Sequence, residues 1–271
     1  MELVKQYNIG KNTEFNLEQL NNDLKPGIYT IKIQAVSVNG KKSKESIGVE
    51  YEVKDPLNPL GLPPFTIRCK FKQGVTPEPC HEEITWDNVV CIDETENVWD
   101  ITKNSEDWSS LFEYQQDLLE VLGANSTGVT DMLDMFIDCS YLERVELFDT
   151  SSVTNMCGMF DTCGSLISVP LFDTHLVESM SYMFAGCYEL TEIPLFDTSS
   201  VENVDWMFYH PEMDVACENV QHGALALYKL LATRESEIWG HEQTFTRCGI
   251  LTETGRAELD QIPLDWGGNA E

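Results

Sequence analysis

The sequence has few basic residues for its size. Its 271 residues include 17 lysines and arginines against 46 aspartates and glutamates, which gives a formal net charge of -29 at pH 7. Proteins that bind DNA, RNA or an anionic membrane surface do so through clusters of Lys and Arg. Eleven of the basic residues lie within the first 72 positions, so the rest of the chain carries nearly all of the negative excess. The composition therefore predicts no nucleic-acid partner.

Long apolar runs and export signals are also missing. No stretch approaches the roughly 18 consecutive apolar residues that a membrane-spanning helix needs. The N-terminus, Met1 to Lys5, lacks the basic and apolar regions of a signal peptide. We therefore expect no membrane insertion and no obvious secretion of the chain as given, which favours assembly inside a host cell over export.

Motifs of enzymes and metal sites are scarce. The five histidines are scattered, and the sequence has no Gly-rich phosphate loop, nucleophile elbow or zinc-protease helix. Cys69, Cys80, His81 and Cys91 invite a zinc interpretation, but they lack the closely spaced pairs that are typical of zinc sites. We expect no enzyme activity, no cofactor and no metal site.

What the sequence does contain is an internal repeat with a period of 24 residues. The tetrapeptide Leu-Phe-Asp-Thr begins at Leu147, Leu171 and Leu195. Met-Phe pairs in the same register begin at Met159, Met183 and Met207. Apolar Leu142, Val145 and Leu147 alternate as in a short strand with one buried face. The period predicts an α+β fold, a leucine-rich-repeat solenoid of 24-residue coils in which each coil opens with a strand.

Polar residues precede the second half of each coil. Asp149 to Ser152 stand before apolar residues spaced three and four apart in 153–160, which predicts a capped helical turn. Asp149, Asp173 and Asp197 would stack as a column of like charges. Such a column is repulsive unless each carboxylate accepts backbone N–H bonds or shares a cation. Capping is the favoured interpretation, and bound calcium is the alternative.

Cysteine also follows the repeat. Cys139, Cys163 and Cys187 each follow the Phe of a Met-Phe pair by three residues, which predicts a column of core thiols. After Phe208 the expected cysteine is replaced by Pro211, and the match resumes at Cys217. Residues 209–214 are therefore predicted to form a six-residue surface insertion.

Two smaller β units are predicted before the repeats. Residues 27–36 alternate as a strand, and a turn at Asn39-Gly40 leads to a second strand around 47–53. Leu24 to Tyr29 resembles the tyrosine corner of a fibronectin type III sandwich, of which only half is present. A half sandwich exposes an apolar face and an edge, so this unit is expected to be an assembly anchor that docks on a partner chain. The candidate anchor residues are Tyr29, Ile31 and Ile33.

These patterns divide the chain into five parts. They are a partial fibronectin type III-like anchor at 1–54, a linker at 55–64, a small β unit that closes the first coil at 65–114, leucine-rich repeats at 115–211 and a C-terminal cap at 212–271. The small unit is predicted to have strands near 66–71 and 98–101 and a short helix capped near Ser105. The cap contains an apolar helical run at 224–231.

The repeat signatures resemble a known family. Leu-Phe-Asp-Thr-Ser-Ser-Val and Met-Phe-x-x-Cys resemble the BspA-type leucine-rich repeats of bacterial surface proteins and of phages that infect gut bacteria, over about 115–208. The flanking segments 121–125, 219–228 and 257–263 resemble pieces that accompany this repeat in phage structural proteins. The resemblance implies a non-enzymatic module for adhesion or for a particle surface.

The residues that flank the buried strand positions are the candidate ligand-binding surface. Glu120, Arg144, Ser168 and Glu192 form one outward column, and Glu146, Pro170 and Pro194 belong to another. The first hypothesis is a phage virion protein, a head or tail decoration or fibre, oligomeric in the particle and bound to other virion proteins through its N-terminal unit. The alternative is an adhesin on the bacterial cell surface that binds a host protein or glycan.

Overall fold

A computed structural model describes residues 27–31, 49–53, 55–79 and 85–270. The chain divides into two compact units, Met1–Pro59 and Leu60–Glu271. This division falls inside the predicted linker, and the other domain boundaries stay predictions.

The first unit contains one described pair of strands. Strand β1 (Gly27–Ile31) pairs antiparallel with β2 (Val49–Val53), as the sequence predicted. The candidate anchor residues Tyr29 and Ile31 lie in β1, opposite Tyr51 and Val49. Ile33 and the predicted turn at Asn39-Gly40 lie outside the described residues.

A five-stranded sheet opens the second unit. Its strands are β3 (Thr66–Phe71), β4 (Asn88–Asp93), β5 (Val98–Thr102), β6 (Leu118–Asn125) and β7 (Arg144–Val145). The order is β4-β5-β3-β6-β7, and only the β6–β7 pair is parallel. The strands predicted near 66–71 and 98–101 are confirmed. The change from antiparallel to parallel pairing marks the beginning of the repeats, because the backbones of successive coils run in the same direction at equivalent positions.

Coils of 24 residues then stack on one another. Parallel bridges join residues one period apart, in the series Asp107, Asp131, Asn155, Ser179 and Asn203. In the turn segment, every second N–H donates to the next coil. Phe160, for example, donates to the Met183 carbonyl at 3.0 Å. An intervening N–H, that of Met159, closes a turn on Met156 instead.

This hydrogen-bond pattern contradicts the predicted helical turns. No α-helix lies within 126–208, a range that is described throughout. Half of the N–H groups that a helix would use bond to the neighbouring coil. A residue with positive φ also recurs at one position of each coil, namely Asp134, Gly158, Tyr182 and Trp206. Because an α-helix requires negative φ, these residues interrupt it. The helix predicted near Ser105 is wrong for the same reason, since Ser110 and Tyr114 also have positive φ.

The strand predicted at the start of each coil is also much reduced. Strand β7 has two residues, and Arg144 meets Ser168 of the next coil only at an isolated bridge. Pro170 has no N–H with which to extend the ladder. Its carbonyl accepts the N–H of Phe172 at 3.0 Å, and Pro194 accepts that of Phe196 in the same way. The leucine-rich-repeat class of these coils stays a prediction from the period.

The expected inner and outer residues are exchanged in these coils. The alternation had placed Leu147 and its equivalents in the core. In the structure the neighbouring phenylalanines are buried instead, at Phe148, Phe172 and Phe196. The leucines are exposed, at Leu147, Leu171 and Leu195.

Columns of identical side chains fill the interior. One is a stack of buried phenylalanine rings with centroids 5.5–5.8 Å apart, formed by Phe112, Phe136, Phe160, Phe184, Phe208 and Phe245. The predicted cysteine column is confirmed, since Cys139, Cys163 and Cys187 are all buried. Each of these thiols donates to a Phe carbonyl of the preceding coil at 3.0–3.1 Å.

The six-residue insertion is an excursion from the stack. It forms a hairpin of β8 (Tyr209–His210) and β9 (Val215–Ala216). Cys217 then resumes the thiol column and donates to the Phe184 carbonyl at 2.9 Å. The register is therefore restored after the hairpin, as the sequence predicted.

The C-terminal segment supplies the helices. Helix α1 (Ala224–Ala232) confirms the predicted helical run, and α2 (Glu253–Leu259) and a 3₁₀ turn (Leu264–Trp266) follow it. Ring–ring contacts join Tyr228 of α1 to Phe245 and to the buried Trp266. These elements lie at the end of the phenylalanine stack.

Candidate binding face

The predicted outward column begins where β6 and β7 meet. Glu120 lies opposite Arg144 in the parallel ladder, and Arg144 bridges to Ser168. Three of the predicted residues are thus brought together at strand spacing, about 4.8 Å from coil to coil. Glu192 pairs with His222.

Arg144 connects the charges of this column. Its guanidinium lies 2.5 Å from Glu120 and 3.6 Å from Glu146. Lys70 of β3 lies 3.8 Å from Glu120 and 2.9 Å from Glu96. The hydrogen bond to Glu120 raises the pKa of Arg144, so the group stays charged. Because the Arg144 side chain is 55% exposed, these ion pairs orient the side chains more than they stabilise the fold.

A shallow depression lies between the first coils. It has a volume of about 430 Å³ and is lined by Glu120, Glu143, Arg144, Ile167 and Ser168. The lining combines three charged groups with a half-exposed isoleucine. Such a surface can accept a side chain or a polar group of a partner.

The sequence reasoning missed an apolar surface beside this column. We define the leucine face as the exposed leucine column together with the exposed isoleucine and the partly exposed prolines of the same coils, that is Leu147, Ile167, Pro170, Leu171, Pro194 and Leu195. Leu171 is 60% exposed, Leu195 54% and Ile167 51%. The available signal was the proline directly before Leu171 and Leu195, because proline ends the ladder and turns the chain. Exposed apolar residues that recur at one register position are typical of interaction sites.

An aspartate column borders the leucine face. Asp149, Asp173 and Asp197 each accept the backbone N–H two residues later, at 3.0, 3.3 and 2.8 Å. The carboxylates therefore accept backbone N–H bonds, at turns rather than at helix starts. Hydrogen bonds from Ser199 lower the pKa of Asp197, which keeps it ionised. Among the described residues, no group of three or more His, Cys, Asp or Glu side chains is placed to hold a metal ion.

A second cluster lies where the inserted hairpin meets the coils. The carboxyl of Asp161 is buried, and its Oδ1 has no hydrogen-bond partner in the described part of the chain. Its Oδ2 lies 3.7 Å from Nε2 of His210, which belongs to the hairpin. Burial, then the charges of Asp138 and Asp134, raise the pKa of Asp161 to about 8. Burial also raises the pKa of Asp134, to about 6. This cluster can therefore hold protons near neutral pH.

Comparison with known proteins finds a family model that is similar to the coils. Residues 106–215 match the family described as "Mycoplasma protein of unknown function, DUF285". This match is consistent with a BspA-type repeat and begins one residue before the first bridged position, Asp107. No curated protein and no solved structure matches the chain. In the regions that the structure describes, no helix has the length and apolar character to cross a membrane.

Proposed function

We propose that the chain is a non-enzymatic structural protein of a phage virion, a head or tail decoration or fibre that presents its repeat solenoid for adhesion. The observation that carries this proposal is the register of the coils. Each coil places one side chain per column on the outer surface, and the columns include both the Arg144 charge network and the leucine face. A broad surface of this kind suits the binding of another macromolecule.

The interior supports a presenting role. The stacked rings and the buried thiols repeat from coil to coil, while the outward positions Glu120, Arg144 and Ser168 differ in charge and size. Core packing therefore leaves these outer positions free to vary with the partner.

In this proposal the N-terminal unit is the anchor. Strands β1 and β2 form a sheet of two strands among the described residues, and a two-stranded pair is marginal without further support. Residues 1–59 contain eight basic and eight acidic residues, whereas 60–271 contain nine basic and 38 acidic residues. The neutral unit is therefore better suited to assembly than the strongly acidic one.

Immunogold labelling tests the location. An antibody against residues 106–215 is applied to purified phage particles and to whole bacterial cells from the same source. Labelled particles with unlabelled cells are the expected result. Labelled cells without labelled particles would overturn the virion proposal.

The second candidate is a bacterial cell-surface adhesin that binds a host protein or glycan. The observation that favours it is the match of 106–215 to a family described from Mycoplasma, a bacterium. Labelling confined to the outer surface of intact cells would support this function.

A further inference from the structure

We propose that the leucine face is the docking surface for a partner protein whose contact residues are apolar and bordered by lysines and arginines. This inference rests on the proposed function, since it specifies the partner chemistry of the same scaffold. It follows from the exposure of the face and from the charges that surround it.

The exposure of these leucines is specific to their column. Leu142, Leu166 and Leu190 belong to the same coils and are fully buried, whereas Leu171 and Leu195 are more than half exposed. The tight turns at Pro170 and Pro194 hold both leucines in the same outward orientation. Ile167 adds an exposed apolar residue that lines the depression beside Arg144. Repeated exposure at one register position differs from the scattered single apolar residues of ordinary surfaces.

Carboxylates lie in the same coils as the leucine face. Asp149, Asp173 and Asp197 each lie two residues after a leucine of the face, and Glu146 occupies the register position of Pro170 and Pro194. Two of these carboxylates have a basic neighbour, since Arg144 lies 3.6 Å from Glu146 and His175 lies 2.7 Å from Asp173. A partner that covers the leucines therefore brings its own flanking groups into the field of residues 60–271, whose formal charge is -29. Lysine and arginine complement that charge, and acidic residues are repelled.

The same charge disfavours a second copy as the occupant. Residues 60–271 carry a formal charge of -29, so two such faces would approach each other against strong repulsion. A glycan is disfavoured because sugars pack on aromatic rings, and the leucine face consists of aliphatic side chains. The observations therefore favour a basic, apolar protein surface.

Peptide binding to the full chain tests this inference. The probe is a fluorescent amphipathic peptide with leucines on one helical face and lysines along its borders. A second peptide has glutamate in place of every lysine, and a third has serine in place of every leucine. The test variant is Leu171→Ser with Leu195→Ser. The matched control is Leu251→Ser with Leu264→Ser, because those leucines are 62% and 63% exposed elsewhere on the chain. Circular dichroism checks that each variant keeps its fold.

We expect the lysine peptide to bind and both other peptides to bind poorly. The test variant should weaken lysine-peptide binding by about 10-fold or more, since two leucine contacts are lost, and the control should change it by less than about 2-fold. If the test and control variants bind the lysine peptide with equal affinity, the peptide is attracted only by the acidic charge of the chain. That result would overturn the inference. Sedimentation velocity supplies the other decisive outcome, since a dimer that forms only with intact Leu171 and Leu195 would identify a second copy as the occupant. Neither result changes the immunogold labelling, so failure here is distinguishable from failure of the virion proposal.

Discussion

The interior of the coils and their outer surface differ in how strictly the residue type recurs from coil to coil. Inside, the same residue type recurs at Phe136, Phe160 and Phe184, with rings nearly parallel at 8° and 6°. Outside, the column that starts at Glu120 continues with Arg144 and Ser168. A buried ring contacts the equivalent ring of the next coil, so a change in one coil disturbs two neighbours. An outward side chain faces solvent, so the stacking of the coils does not require a particular residue type at that position.

Truncating the ring column is the change with the largest expected effect. Phe160→Ala removes a fully buried ring that stacks between two others, and should lower the free energy of unfolding by about 3–5 kcal/mol. Leu171→Ala, in the next coil but exposed, should change it by less than about 0.5 kcal/mol. Urea denaturation followed by circular dichroism measures both. Equal losses would remove the distinction between interior and surface.

The buried carboxyl of Asp161 makes the free energy of unfolding depend on pH. Its folded pKa of about 8 lies above the ordinary value of 3.8, so the folded state holds a proton that the unfolded state releases between these values. This contribution to stability is complete below about pH 4 and is lost as pH rises through about 8, with a slope of up to about 1.4 kcal/mol per pH unit.

Asp161→Asn replaces the protonated acid with a neutral group of similar shape. Relative to the parent chain, the variant should gain stability progressively from pH 5 to pH 9, by more than about 1 kcal/mol over the range. Urea midpoints at several pH values give the difference. Asp87→Asn is the control, because Asp87 is an exposed acid. Parallel pH profiles of Asp161→Asn and the parent would contradict the raised pKa.

The thiol column provides a smaller test of the interior. Cys163→Ala leaves a small cavity and removes the S–H that donates to the Phe136 carbonyl at 3.1 Å. The expected loss is about 1–2 kcal/mol. The partly exposed Cys91 gives the matched control, for which Cys91→Ala should cost less than about 0.5 kcal/mol. A Cys163→Ala variant as stable as its parent would show that the column does not contribute to packing.

The smallest effect is expected on the outer surface. Arg144→Ala breaks contacts with Glu120 and Glu146, but the side chain is more than half exposed and its ion pairs are weak. The free energy of unfolding should fall by less than about 1 kcal/mol, and added salt should reduce the difference further. Thermal unfolding at low and high salt checks this. A loss comparable to that of Phe160→Ala would mean that the charge network holds the coils together.

The stack could be predicted because the period of 24 residues is visible in the order of the residues alone. The cysteine column and the insertion after Phe208 followed from that period or from its interruption, and the helical run after Ala224 followed from its apolar residues. The turn segments could not be predicted in the same way. Apolar residues three and four apart fit both a helix and a series of turns, and the choice depends on whether the N–H of Phe160 bonds within its coil or to the next one.

The leucine face could not be predicted from the sequence because of a similar ambiguity. Alternation from Val145 to Leu147 is correct for a continuous strand, but the tight turns that follow the bridges bring Phe172 and Phe196 inward. A single backbone turn shifts the pattern by one residue and exchanges the two faces. The proline before Leu171 pointed to that turn, but the burial of Phe172 became evident only from the stacked coils.

The leucines of one column face solvent, while those of another column fill the core. Paramagnetic relaxation of leucine methyl groups by a soluble gadolinium probe tests it directly. We predict strong broadening at Leu147, Leu171 and Leu195, and protection of Leu142, Leu166 and Leu190. Protection of both columns, or the reverse order, would contradict the account.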